Sequence, residues 1–335
     1  MSFPLLLLAA LSLAPASADL KVVAHYPVPG DVRFDYLRAD AGPRRLYVSH
    51  GNQVEVLNLD TGALVGTVAP MKGVHGIALI DALGKGYITA GQDRTVVVFA
   101  TDSLKITKVI AGLGVKPDAI EYDPATNRIY VANGQSGGLT IIDPATDTIV
   151  GHVPLEGKLE GIAFDGKGRL FVNTEDKSEI QVVDMATLKA IAAWPIAPVE
   201  GGTGLTIDRS SHRLFSAGGN GMLAVVDSDS GKVVATPAIG EDPDGDAFDA
   251  ERGLVFTSSV GGTVSVLHED SPDSYHLVQT VTTEPGARTC TLDSPTGRLF
   301  VMTGKFDPAP PATADHPHPR KAGIPGTFEV LVVGR

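Results

Sequence analysis

Short apolar segments alternate with turns along almost the whole chain. An aspartate ends one such segment at intervals of about 41 to 44 residues, at Asp40, Asp81, Asp123, Asp165, Asp208, Asp249 and Asp293. A second apolar segment follows each aspartate and carries an aromatic residue at a constant phase: Tyr47, Tyr87, Tyr130, Phe171, Phe215, Phe256 and Phe300. Repeats of this length with four strands each are typical of propeller blades. The pattern predicts an all-β, seven-bladed β-propeller of four-stranded antiparallel blades.

The repeated aspartates are predicted to form turns. They precede Gly, Pro, Ser or Thr within a few residues, and a carboxylate there accepts hydrogen bonds from its own turn. We therefore do not expect them to act as catalytic carboxylates.

The last repeat lacks a fourth strand, because the chain ends after its third, residues 327–333. Residues 21–27 (KVVAHYP) resemble the fourth strand of the fifth repeat, residues 232–237 (KVVATP). Pairing the N-terminal segment with the C-terminal strand would cover an exposed sheet edge. The sequence thus predicts that the N-terminal strand closes the ring.

The repeat resembles a known family. Residues 128–133 (RIYVAN), 45–50 (RLYVSH) and 141–146 (IIDPAT) are similar to the YVTN repeat. The resemblance extends over nearly all of residues 19–335 and implies a YncE-like exported β-propeller. Such propellers include binding proteins and enzymes, some of them similar to lactonases, and the repeat motif itself carries no catalytic residues.

The N-terminal segment has the pattern of a signal peptide. Residues 4–13 are apolar, and Ala16-Ser17-Ala18 fits a small-x-small cleavage site that would leave Asp19 first. The alternative is a short buried strand or helix. We expect residues 1–18 to be a signal peptide, residues 19–335 to form one propeller domain, and the protein to be periplasmic or secreted, with no transmembrane segment.

Composition narrows the range of partners. The net charge is −12, from 27 basic and 39 acidic residues, and no Lys/Arg cluster is present. A nucleic-acid backbone requires such a cluster, so we expect no nucleic-acid partner. Cys290 is the only cysteine, which excludes an intramolecular disulfide. We expect a monomer whose partner is a small molecule or an envelope protein.

Propellers bind ligands mostly at one mouth of the central channel. Seven residues lie in the loops that lead into the innermost strands at that mouth: Asp35, His75, Asp118, Glu160, Thr203, Asp244 and Arg288. Carboxylates, a histidine and an arginine together can perform acid–base chemistry or bind a polar ligand. The candidate catalytic residues are His75, Asp118, Glu160 and Arg288, and Asp35 and Asp244 are further candidate ligand-binding residues.

One loop at the same mouth is much longer than its six counterparts. It spans residues 304–326, includes Lys305 and Phe306, and contains His316 and His318 in a Pro-rich stretch. Long loops of this kind are functional or disordered, so either a lid or a surface insertion would account for it. His50, His75, His316 and His318 map to this end and form a candidate divalent-metal site; four unrelated histidines are the alternative.

Two functions remain open at this point. The first is a binding or scaffold protein of the cell envelope. The second is a hydrolase or lactonase, with or without a divalent metal ion, at the same mouth. Neither a Walker loop, a His-Glu-x-x-His motif nor a Gly-x-Ser-x-Gly elbow occurs in the sequence to decide between them.

Overall fold

A computed structural model describes residues 19–308 and 322–335 of the protein. Within these residues the chain forms seven antiparallel sheets of four strands each, so the predicted seven-bladed propeller is confirmed. The predicted signal peptide, residues 1–18, and the loop histidines His316 and His318 lie outside the described residues.

The strands are numbered in chain order, and each blade is given from its innermost to its outermost strand. Blade one contains β2 (Phe34–Asp40), β3 (Arg45–His50), β4 (Gln53–Asn58) and β5 (Leu64–Val68). Blade two contains β6 (Val74–Ile80), β7 (Lys85–Ala90), β8 (Thr95–Ala100) and β9 (Ile106–Ala111). Blade three contains β10 (Pro117–Asp123), β11 (Arg128–Asn133), β12 (Leu139–Asp143) and β13 (Thr148–Val153). Blade four contains β14 (Leu159–Phe164), β15 (Arg169–Thr174), β16 (Glu179–Asp184) and β17 (Lys189–Pro195).

Blade five contains β18 (Gly202–Asp208), β19 (Arg213–Gly218), β20 (Met222–Asp227) and β21 (Val233–Ala235). Blade six contains β22 (Pro243–Asp249), β23 (Leu254–Ser259), β24 (Thr263–Ser271) and β25 (Ser274–Thr282). Blade seven contains β26 (Arg288–Asp293), β27 (Arg298–Thr303), β28 (Glu329–Gly334) and β1 (Lys21–Pro27). The described residues also form two short 3₁₀ helices, at Asp81–Leu83 and Glu175–Lys177.

The ring is closed by the N-terminal strand, as the sequence predicted. β1 pairs antiparallel with β28, with Lys21 opposite Gly334 and Pro27 opposite Glu329. The innermost strands also contact one another around the full circle, including β26 against β2. The first and last segments of the propeller therefore share one sheet.

The core lies between neighbouring blades. The seven repeated aromatic residues are each at most 1% exposed, and they pack with branched aliphatic side chains of the adjacent blade. Tyr47, for example, packs against Phe99 of the next blade with 5.9 Å between ring centroids. One large aromatic per repeat thus fills the wedge between two twisted sheets.

The repeated aspartates form turns, as predicted. Asp123 accepts the N–H of Thr126 at 2.9 Å, and Asp208 accepts the N–H of Ser210 at 2.8 Å. Asp81 is the exception among the seven, since it begins a 3₁₀ helix with no side-chain cap. No helix in the described residues is long and apolar enough to span a membrane.

Candidate functional site

Every innermost strand carries a β-bulge beside the same mouth of the channel. In blade one, Asp35 and Tyr36 both lie opposite Ser49, and register shifts at the corresponding place occur in the other six blades. A bulge redirects side chains and leaves a ladder hydrogen bond unmade. Buried hydroxyls of the second strand replace it: Ser49 accepts the N–H of Asp35 at 3.0 Å, and Thr89 accepts that of Gly76 at 2.8 Å.

The bulges surround a channel of about 420 Å³ that all seven innermost strands line. Three carboxylates from blades one, four and six face it: Asp35, Glu160 and Asp244. Their side chains are 32%, 14% and 36% exposed, in that order. The volume falls within the range of small-molecule sites. The channel therefore has room for a small molecule, and its mouth is lined by acidic groups.

His75 connects two carboxylates at the rim. Its Nδ1 hydrogen-bonds to Asp35 Oδ2 and lies 3.6 Å from Asp118 Oδ1. Burial of the ring acts to lower the pKa of His75, but the hydrogen bond to Asp35 and the charges of Asp35 and Asp118 outweigh it and raise that pKa. The three ligand atoms lie within 4.8 Å of one another, which is close enough for a divalent metal ion to replace the shared proton.

Asp118 is more deeply buried than its neighbours, with only 3% of its side chain exposed. Lys116 reaches its other oxygen, with Nζ 2.6 Å from Oδ2. Burial and the charge of Asp35 nevertheless raise the pKa of Asp118, while His75 and Lys116 oppose that shift. Asp118 therefore acts on the mouth through its charge and its contacts, since little of it is open to a ligand.

Glu160 has a strongly raised pKa and faces the channel. Burial first, and the charge of Asp118 second, raise the pKa of Glu160 to about 8, although Lys158 Nζ lies 3.0 Å from its Oε1. Lys158 also binds Glu175, so its charge is shared between two carboxylates. Near neutral pH Glu160 therefore holds a proton that a bound cation could displace.

Asp244 and Arg288 come from blades six and seven, at the start of β22 and β26. Arg288 Nε is 3.5 Å from Asp244 Oδ2, and its guanidinium sits 5.2 Å from the centroid of the Phe34 ring. Phe34 in turn stacks on Phe328 at 5.2 Å. Burial raises the pKa of Asp244 to about 6, with Arg288 acting against it. The stacked rings of Phe34 and Phe328 thus support the Arg288 guanidinium beside Asp244.

Below the mouth the channel holds polar groups that the sequence analysis did not select. Tyr36 reaches from blade one to the apolar cluster of blades three and four, and burial together with the surrounding carboxylates raises the pKa of its phenol well above the ordinary value. Arg38 pairs with Glu121 of blade three at 2.9 Å. Asp246 keeps one buried oxygen without a partner among the described residues. The only sequence signal for Tyr36 was its position next to Asp35.

Three other residues predicted for the site, His50, Lys305 and Phe306, are not among the residues that line the channel. His50 is buried, with Nε2 2.8 Å from the carbonyl oxygen of Asp31 and its ring packed 4.9 Å from that of Phe328. It belongs to neither three-residue group of potential metal ligands in the described residues. Phe306 packs on the core of blades seven and one, and Lys305 is exposed at the base of the long loop.

Cys290 lies in β26 and lines the channel. Burial raises the pKa of its thiol to about 12, so the thiolate needed for nucleophilic attack is scarce at neutral pH.

Comparison with known proteins identifies the fold only. No protein-family model matches the chain. No curated protein matches its sequence either. Among solved structures, hydrazine synthase of Kuenenia stuttgartiensis is similar, with a TM-score of 0.69, 16% identity, and coverage of 88% of this chain and 96% of that one. At this identity the likeness supports the propeller architecture and does not extend to activity.

Proposed function

We propose that the protein is an exported, YVTN-like propeller that binds a small cationic molecule at the acidic mouth of its channel. The observation that carries the proposal is the convergence of Asp35, Glu160 and Asp244 on one cavity of about 420 Å³. The raised pKa values of Glu160 and Asp244 support it, because carboxyls that resist ionisation when the mouth is empty are those that a cation would stabilise.

The lining of the same cavity includes an aromatic residue. Tyr36 lines the channel below the three carboxylates. An ammonium group above an aromatic ring gains roughly 0.5–2 kcal/mol. An organic amine therefore suits the mouth better than an anion of the same size.

Calorimetry at pH 8.5 tests the ligand class directly. Putrescine, choline and arginine should bind, and succinate should not. Glu160→Gln should weaken cation binding by about tenfold or more, equivalent to about 1.4 kcal/mol. Glu156→Gln is the matched control, because the side chain of Glu156 is 88% exposed and pairs only with Lys177 in the described residues. Binding of succinate alone, or equal cation affinity in both variants, would rule the proposal out.

One observation favours a second candidate, a metal-dependent hydrolase. Asp35, His75 and Asp118 present one nitrogen and two oxygen ligands at the same mouth to which Arg288 contributes a guanidinium that could stabilise an oxyanion. Elemental analysis of untagged protein and a panel of lactones and esters test this candidate. Metal-dependent turnover that His75→Ala abolishes would favour hydrolysis over binding alone.

Export is the third part of the proposal. The apolar residues 4–13 and the Ala16-Ser17-Ala18 pattern support it. The first strand in the described part of the chain, β1, begins at Lys21, shortly after the proposed cleavage site. Protein recovered from the periplasm or medium should begin near Asp19 in N-terminal sequencing. Recovery of the chain with Met1 intact, in the cytoplasm only, would contradict export.

A further inference from the structure

The hairpin of β24 and β25 is longer than its counterparts in the other blades. Both strands have nine residues, whereas the third and fourth strands elsewhere have three to seven. The hairpin turn lies at the end of blade six opposite the channel mouth, because successive antiparallel strands reverse direction. Ring closure requires no such extension, since six blades close without it.

Three potential metal ligands meet on one face of this extension. His268 and His276 are directly opposed across the hairpin, with 5.6 Å between their ring centroids. Asp270 follows two residues after His268, at a register shift between Glu269 and Ser271. Its oxygens bridge the two rings: Oδ1 lies 2.9 Å from His268 Nδ1, and Oδ2 lies 2.6 Å from His276 Nδ1.

The opposite face of the hairpin holds it in place. Tyr275 packs edge-on against Phe215 of blade five at 5.6 Å, and its hydroxyl donates to Glu269 at 3.1 Å. Arg213 of blade five binds the turn, donating from Nε to the Pro272 carbonyl at 2.9 Å and from Nη2 to Asp273 at 2.7 Å. The extension is therefore anchored, and its histidine face is held toward solvent.

We propose that His268, Asp270 and His276 form a binding site for a divalent transition metal ion, with Zn²⁺ or Cu²⁺ as the ion. Two imidazole nitrogens and one carboxylate oxygen suit these ions and leave a coordination position open. The three ligand atoms lie within 4.8 Å of one another. Ligands around a tetrahedral Zn²⁺ lie about 3.4 Å apart, so small side-chain rotations suffice.

Ligand access also favours this site. The side chains of His268, Asp270 and His276 are 33%, 42% and 40% exposed, so an ion can enter without any opening of the core. No cationic side chain pairs with Asp270 within the described residues; its partners there are the two rings. An incoming ion would thus replace hydrogen bonds by metal–ligand bonds on a scaffold that already holds the three groups together.

The test measures Zn²⁺ affinity by competition with a chromophoric chelator, on full mature protein purified without a tag. His268→Gln and His276→Gln should each weaken Zn²⁺ binding by about tenfold or more. His212→Gln is the matched control, because His212 is also a partly exposed histidine that pairs with one aspartate, Asp229, at 2.5 Å. It has no second histidine beside it in the described residues.

A second measurement makes the result specific to this site. The Cu²⁺ electron paramagnetic resonance spectrum should show two nitrogen ligands in the parent protein and one in His276→Gln. The series is repeated in a chain carrying His316→Gln and His318→Gln, so that the long loop contributes no metal binding, and in His75→Gln, so that the channel mouth is tested separately. Equal Zn²⁺ affinities of His276→Gln and His212→Gln, or an unchanged Cu²⁺ spectrum, would overturn the proposal.

Discussion

At the scale of single residues, burial and charge pairing have opposite effects on the pKa values of the carboxyl groups at the channel mouth. Glu160 has a lysine within 3.0 Å, yet its pKa rises to about 8, because burial and the charge of Asp118 outweigh one shared cation. The pKa of Asp118 is also raised, although Asp118 contacts Lys116 and His75. The raised pKa of Glu160 links ligand binding, pH and stability at the mouth.

The sign of the stability effect follows from proton counts. Between its ordinary pKa of 4.5 and its raised value of about 8, Glu160 is protonated in the folded chain and ionised in the unfolded chain. The folded state therefore binds more protons, and the contribution of Glu160 to stability falls as pH rises through this window. A shift of this size corresponds to a few kcal/mol, on the order of 1.4 kcal/mol per pH unit.

We expect Glu160→Gln to remove this pH dependence, because glutamine mimics the neutral acid. Its Tm should exceed that of the parent protein only slightly at pH 5.5, one pH unit above the ordinary pKa, and by a few degrees more at pH 8.5. Thermal melting of the parent, Glu160→Gln and the exposed control Glu156→Gln at both pH values checks this. Parallel melting curves for the parent and Glu160→Gln would show that Glu160 ionises normally.

At the scale of the elements, the repeat predicted the strands well because each blade is a local unit. One aromatic position and one turn aspartate per repeat define the second strand and the turn before it, and both features recur in the structure. The closing strand was predictable for the same reason, since residues 21–27 have the pattern of a fourth strand and form β1.

The site was harder to predict from the sequence than the strands, because β-bulges and contacts between blades determine which side chains reach the channel mouth. Repeat phase placed Asp35, His75, Asp118, Glu160 and Asp244 at one end, and the structure brings them around one mouth. Repeat phase gave no indication that Tyr36, the second residue of the bulge, also lines the channel. Phase placed His50 at the same end, but its ring turns to Asp31 and Phe328 and packs in the core.

The two surface histidines of blade six show the same limit. The sequence analysis did not select His268 and His276 as candidate ligands, because repeat phase places both away from the channel mouth. Their pairing depends on a register that contains two irregularities, and a shift of one residue would send one ring to the other face. The sequence pattern does not specify the register of β24 and β25, so it could not predict that the two rings meet.

At the scale of the whole molecule, stability depends on closing the circle. β1 supplies the outermost strand of blade seven, and its Tyr26 is only 5% exposed. Tyr26 donates from its hydroxyl to the Asp60 carbonyl of blade one at 2.8 Å and packs on Phe300 of blade seven at 6.3 Å. One side chain therefore joins the first and last blades of the ring.

Deletion of residues 19–27 should lower Tm sharply or cause aggregation, because β28 would be left as an exposed apolar edge strand. Tyr26→Ala isolates the same contact in an intact chain and should cost about 3–5 kcal/mol, the range for removing a large buried aromatic side chain. The neighbouring His25→Gln is the control, since the side chain of His25 is 53% exposed and pairs with Glu329 on the outer face. The Tm values of the three variants are compared with that of the parent protein.

If the ring is held together by β1, a synthetic peptide of residues 19–29 should restore part of the lost Tm when added to the deletion variant, as a donated edge strand does. A deletion variant that melts like the parent protein would mean that contacts among the innermost strands alone hold the circle closed.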